Sequence, residues 1–185
     1  RPVLPFQLEA AVNTPVPCTA MYTTASPTAP EIPATVTASF ARLEAKSAEL
    51  GLADRVTFTG YLTQSEVAEQ LAGTDFLVLP SFAEGVPVVL MEAMAAGKPV
   101  IASRVAGVQE LVEDGVSGLT LPPGDLDTLV QAISAMLEDP EGRAAMGQAG
   151  RSKVVAEFDV AQEAAWLGAL FTGSLQGKLP KGLRP

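Results

Sequence analysis

The chain has 185 residues, 48% of them apolar, and a formal net charge of −9 from 12 Lys and Arg against 21 Asp and Glu. That is enough for one domain with a sizeable core, and the acidic balance argues against nucleic acid as a partner. No apolar run reaches the ~18–20 residues of a membrane span, no signal-peptide pattern opens the chain, and the single Cys18 excludes an internal disulfide or thiolate metal cluster; the absence of His removes His-based triads, His-ligated zinc and the usual neutral-pH proton shuttle.

Residues 1–38 differ from the rest: seven are Pro, seven Thr and seven Ala, and only Arg1, Glu9 and Glu31 are charged. This composition predicts an irregular segment. From Ser39 the pattern becomes regular. Ser39 is suited to cap a helix to about Leu50, with Gly51 as its stop. Val56–Thr59 reads as a short strand ending at Gly60, and Thr63-Gln64-Ser65-Glu66 has capping-box spacing for a helix to about Ala72. The continuous apolar run Phe76–Leu79 predicts a strand buried on both faces. A helix follows, apolar all round from Val88 to Ala96 except for Glu92, then a strand from Pro99 to Ser103. A short helical turn near Gln109–Val112, a strand at Leu119–Leu121 and an amphipathic helix from Asp125 to about Glu138 come next. Pro140 to about Glu157 is predicted helical with a break, Val160 to about Phe171 is a last amphipathic helix, and 173–185 is a loose Gly/Pro/Lys-rich tail. Strands alternating with helices imply βαβ units and a parallel sheet in 39–172.

The stretch Ser81–Ser103, SFAEGVPVVLMEAMAAGKPVIAS, is the most informative. Val86, Val88 and Val89 offer backbone N–H groups at a helix start, and Pro87 suits the first helical position. An anion there meets both the donors and the positive end of the helix dipole. Two carboxylates flank the spot, Glu84 in the loop and Glu92 in the helix. A helix apolar on every face is buried, and a buried carboxylate needs hydrogen-bond donors. Two readings fit. In one, a nucleotide-sugar supplies the donors, with its diphosphate at the helix start, its ribose on one Glu and its hexose on the other. In the other, Glu92 pairs with Arg104 or Lys98 and Glu84 is a solvated loop residue.

Beginning at Pro80, the residues read P-S-x-x-E-G-x-P-x-x-L-x-E-A-M-A-x-G-x-P-V-I-A-S. Together with Leu50–Gly60 upstream and Val105–Asp125 downstream, this pattern resembles the C-terminal, donor-binding domain of the retaining GT-B glycosyltransferases, the group 1 glycosyl transferase family. The resemblance implies an α/β fold, a Rossmann-like parallel sheet with flanking helices that forms the C-terminal half of a GT-B fold. It implies that Glu84 binds the donor hexose near its anomeric carbon and serves as the catalytic residue. Glu92 would bind the ribose diol, the amides of Gly85, Val86, Val88 and Val89 the distal phosphate, and the backbone of Gly60, Tyr61 and Leu62 the nucleobase. The implied activity is transfer of a hexose from a nucleoside-diphosphate sugar to a glycan or lipid-linked acceptor, as in polysaccharide biosynthesis. Expected partners are the donor and that acceptor. No metal and no cofactor beyond the donor substrate are expected. The implied localisation is cytoplasmic, with peripheral membrane attachment of a full-length protein left open. The alternative is a non-catalytic nucleotide-sugar binding or interaction module.

Residues 1–38 depart from the family pattern, which has a strand, a glycine turn with an Arg and a Lys, a second strand and a Gly-rich loop before the first matching helix. Here there is one basic residue, Arg1, and no glycine. The chain opens on Arg1 rather than Met, and against the family pattern the expectation is a fragment that lacks the N-terminal acceptor domain and is inactive alone. Three other signals point away from chemistry. Asp125-Leu126-Asp127 spells a D-x-D but follows Pro-Pro-Gly, as a helix cap would. Gly115-Val116-Ser117-Gly118 has no His to activate Ser117. Trp166 lies on an amphipathic helix, where core packing or docking is expected of it.

Overall fold

The computed structural model describes residues 18–22 and 34–175. They fall into two compact units divided between Gln70 and Leu71.

In the first unit, β1 (Cys18–Tyr22) runs parallel to β2 (Val56–Tyr61), with α1 (Ala34–Glu49) as the crossover. Cys18 stands opposite Val56, Ala20 opposite Phe58 and Tyr22 opposite Tyr61, the register slipping between Ala20 and Tyr22. Gly51, at φ 69°, follows α1 and turns the chain toward β2, as expected. Phe40 meets Phe58 edge to face at 6.2 Å, which seats α1 on β2. α2 (Gln64–Gly73) begins on the predicted capping box: Glu66 Oε2 accepts from the Thr63 N–H at 2.7 Å and from its hydroxyl at 2.6 Å. The Thr63 hydroxyl first, and then its amide, hold the Glu66 carboxyl below its ordinary range.

Two expectations about this unit need correction. Within the segment 1–38, expected to be irregular, 18–22 form β1 and 34–38 belong to α1; the rest of that expectation lies outside the described residues. Five strand-capable residues were hidden in the average composition of a Pro/Thr/Ala-rich stretch. The helix expected from Ser39 starts at Ala34, directly after Pro33, which cannot sit in a helix interior.

In the second unit three parallel strands lie in the order β3-β4-β5: β3 (Leu77–Leu79), β4 (Val100–Ser103) and β5 (Gly118–Leu121). Leu77 stands opposite Val100, and Val100 opposite Gly118. α3 (Val88–Ala95) connects β3 to β4, and α4 (Ala106–Leu111) connects β4 to β5. α5 (Leu126–Glu138), α6 (Pro140–Glu157) and α7 (Val160–Leu175) complete the order. β4 is central and wholly buried, as its unbroken apolar run requires. β3, expected to be buried on both faces, is half-buried, because among the described residues β4 is its only strand neighbour.

One layer of the core joins Ile101, Leu121, Ala132 and Met136, with Phe76, Val78, Leu129 and Ile133 packed against them. On the α3 side, Leu90, Ala93 and Met94 are fully buried. α6 was expected to contain a break, but it is continuous from Pro140 to Glu157. A Cβ at Gly147 would overlap the Gly97 carbonyl, and one at Gly150 would crowd Ser117 and Met94. The glycines are there to let α6 approach, not to interrupt it. Arg151 Nη1 donates to the Ala95 carbonyl, tying α6 to the end of α3. The last helix extends to Leu175, beyond the predicted Phe171, and none of its residues is buried, Trp166 included. No helix among the described residues is long and apolar enough to cross a membrane.

The D-x-D is a cap. Asp125 Oδ1 accepts from the Thr128 N–H at 3.0 Å and Oδ2 from its hydroxyl at 2.7 Å. These bonds, the backbone one foremost, hold the Asp125 carboxyl below its ordinary range.

Two outcomes follow from this packing. Ile101→Ala should cost about 2–5 kcal/mol, read as a lower urea midpoint at unchanged slope. Asp125→Ala should lower the thermal midpoint at neutral pH. A carboxyl whose folded pKa is depressed stabilises above its unfolded value and loses that contribution as pH falls through the folded one. The gap between Asp125→Ala and wild type should therefore close as the medium is taken below the ordinary carboxylate range, and a gap that persists in strong acid would refute the cap assignment.

Candidate functional site

Parallel strands deliver their connecting loops to one end of a sheet, at the carboxyl ends of the strands. In the second unit, Pro80–Pro87 leaves the end of β3 and Arg104–Val105 leaves the end of β4. The first of these loops carries the motif.

Pro87 is the N-cap of α3, at φ −74° and ψ 116°, one position ahead of the first helical residue expected for it. Its carbonyl accepts from Leu90 N–H at 3.1 Å, and no side chain caps this helix start. Val88 is 60% exposed. By contrast, Asp125, Asp139 and Asp159 cap α5, α6 and α7 through backbone N–H bonds of 2.8–3.0 Å. The first-turn N–H groups of α3 thus face an exposed edge without a protein side-chain acceptor.

Glu84 is half-buried in the loop. Glu92 is also half-buried, one turn after Val88, where the sequence predicted full burial. The reason is that α3 buries only one side, through Leu90, Ala93 and Met94, and Val88 and Glu92 share the other. The ion pair open to Glu92 does not form. Arg104 instead bonds the Thr120 hydroxyl and carbonyl, both at 3.2 Å, and lies 3.5 Å from Asp114. Among the described residues, neither Glu84 nor Glu92 makes an ion pair, with Lys98 or with any other cation.

The second unit therefore brings together Glu84, Gly85, Val86, Val88, Val89 and Glu92. Gly60, Tyr61 and Leu62 belong to the first unit, at the end of β2, where Gly60 has φ 65° beside the register slip. Among the described residues, no group of three or more Cys, Asp or Glu comes close enough to hold a metal ion.

One residue that composition and spacing passed over stands out. Gly107, buried near the start of α4, lies against the Gly85 backbone. Gly107 is the second residue of α4, which begins at Ala106 and so ahead of the Gln109–Val112 turn expected from the sequence; no local pattern marked it.

The model of the glycosyl transferases of group 1 matches residues 37–153. The alpha-D-kanosaminyltransferase of Streptomyces kanamyceticus is 31% identical over 121 residues, 65% of this chain and 31% of that protein. Sucrose-phosphate synthase from Thermosynechococcus elongatus superposes with a TM-score of 0.70 at 36% identity, over 76% of this chain and 35% of that one. HepE of Anabaena, solved in complex with UDP, superposes with a TM-score of 0.67 at 30% identity, over 74% and 38% of the two chains. The chain spans about a third of the length of the curated relatives it matches. These neighbours are GT-B glycosyltransferases, and they share the α/β arrangement of parallel strands and flanking helices found here. The chain belongs to the group 1 glycosyl transferase family.

Proposed function

We propose that this chain supplies the donor half of a retaining hexosyl transfer: it holds a nucleoside-diphosphate hexose whose sugar passes to a glycan or lipid-linked acceptor. The observation that carries the reading is the pair Glu84 and Glu92, neither paired with a cation among the described residues, on either side of a helix start that no side chain caps. A diphosphate at that start accepts from the first-turn N–H groups and gains from the dipole. A ribose diol donates to Glu92 and hexose hydroxyls donate to Glu84, which gives each carboxylate donors where no described cation pairs with it. HepE, a relative at 30% identity, was solved with UDP and with UDP-glucose, which supports a nucleotide-sugar as the ligand class.

In this reading transfer takes place on one face of the sugar. The bond from the anomeric carbon to the diphosphate oxygen breaks as the bond to the acceptor oxygen forms, and the acceptor proton passes to the departing diphosphate. Glu84 orients the hexose and stabilises the positive charge that develops on it. The α3 amides stabilise the departing diphosphate. Gly60, Tyr61 and Leu62 are assigned to the nucleobase by family position alone.

Three measurements test the reading. Hydrogen bonds to a charged group contribute roughly 1.5–3 kcal/mol each, so Glu92→Ala should weaken nucleoside-diphosphate binding about tenfold or more per bond lost. Calorimetry giving equal affinities for folded wild type and variant would refute the ribose role. In an enzyme that turns over, Glu84→Gln should cut transfer strongly while leaving the affinity for the bare diphosphate nearly unchanged; an equal loss in both would make Glu84 structural. EDTA should leave donor binding intact. If Mg²⁺ or Mn²⁺ proved necessary to restore it, the metal-independent assignment would fall.

A further inference from the structure

We infer that Gly107 is a positioning residue for the donor loop: α4 is the fixed surface on which Glu84-Gly85-Val86 is set, and the contact admits no side chain.

The contact is between backbones. A Cβ built on Gly107 would overlap the Gly85 carbonyl carbon and oxygen and would stand 2.8 Å from Val86 N. An ordinary carbon–oxygen contact is roughly 3.3–3.6 Å, so any other residue forces the two segments apart by more than about 1 Å. All three obstructing atoms belong to the main chain, so no rotamer change relieves the overlap.

Which side yields follows from burial. α4 is held from beneath by Val108 and Leu111, at 1% and 0% exposure, and it follows directly on the buried strand β4. Val105 N–H bonds the Ser103 carbonyl at 2.9 Å, and Val112 N–H bonds the Val108 carbonyl at 2.8 Å, so the helix is hydrogen-bonded on both sides of Gly107. Across the contact, Gly85 and Val86 are exposed, and a Cβ at Gly85 would meet nothing within 4 Å. The loop has room to move and the helix has none. Gly107 also lies 22 positions beyond Gly85 in sequence, so the site depends on a glycine outside its own motif.

The inference rests on the donor reading for its functional consequence, but its structural core does not. When the loop is displaced, the Val86 amide and the Glu84 carboxylate move together relative to α3. The phosphate and hexose contacts should suffer, whereas the Glu92 contact, carried on α3 itself, should not.

The test is Gly107→Ala in the full chain, with UDP, GDP and ADP and the matching monophosphates as probes. We expect the Gly85 and Val86 amide resonances to shift, the thermal midpoint to fall little, and affinity for the preferred diphosphate to drop about tenfold or more while affinity for its monophosphate stays within about twofold. Unshifted Gly85 and Val86 resonances, or equal losses for mono- and diphosphate, would overturn the inference. So would a variant that does not fold, since then α4 and not the loop would be the side that yields. Hydrogen exchange on the wild type gives a second readout without the variant: the α4 amides should exchange more slowly than those of Gly85 and Val86, and the reverse order would overturn it. If the resonances shift but the wild type binds none of the diphosphates, the donor reading fails and the positioning role stands.

Discussion

The second unit is organised around a helix fastened at one end and open at the other. The C-terminal end of α3 is closed by several agents: Gly97 at φ 73°, its amide bonded to the Met94 carbonyl at 2.9 Å, Lys98 bonded to Ala93 at 2.9 Å, and Arg151 from α6 on Ala95. Close approach of α6 through Gly147 holds that end against lateral movement. At the other end no side chain caps the helix, and the Pro87 carbonyl accepts its first intrahelical bonds, from Leu90 N–H at 3.1 Å and Met91 N–H at 3.4 Å. The orphan carbonyls of α3 are satisfied within the protein, and its orphan N–H groups find no side chain to satisfy them. A helix anchored in this way presents its positive end as a fixed feature, so a bound anion would not have to order the helix first.

Charge distribution makes the contrast sharper. In a chain of net charge −9 carboxylates are plentiful, and three helix starts in the same unit use them: Asp125, Asp139 and Asp159 each accept from first-turn amides. Glu84 sits close to the start of α3 in sequence without capping it, and Glu92 is on its second turn. Arg104, the cation nearest in sequence after β4, is committed to Thr120 and Asp114. Among the described residues, the site is thus neither neutralised by a cation nor closed by an acid.

Much of this was legible in the residues. The apolar run Pro99–Ser103 reads as a strand, and β4 is that strand; that it, and not Phe76–Leu79, is the fully buried one follows from the strand order, which places it in the middle. Thr63 and Glu66 carry their capping box in their spacing, and Asp125 announces its cap by following Pro-Pro-Gly. What stayed hidden depends on contacts between segments distant in sequence. β1 has no strong pattern of its own and is a strand because β2 pairs with it. The sequence reads 140–157 as a helix with a break, and the close approach of Gly147 to Gly97 that its glycines serve is visible only in the packing. Glu92 looks fully buried because α3 is apolar on every face, and only the packing shows that one side is covered. Gly107 carries no chemistry, and its meaning appears only when Gly85 is set against it.

The order β3-β4-β5 has a further consequence, for how the second unit assembles. Every strand pairs with its immediate successor in the chain: Leu77 with Val100, then Val100 with Gly118. Each closure spans one strand–helix–strand segment, so the loop entropy of joining the next strand stays small. Parallel sheets are usually slow to form because their pairings are distant in sequence; here each pairing joins strands that are neighbours in the chain. The chain order places β4 beside β3 before Gly118 is reached, and α6, which packs on α3, comes after all three strands.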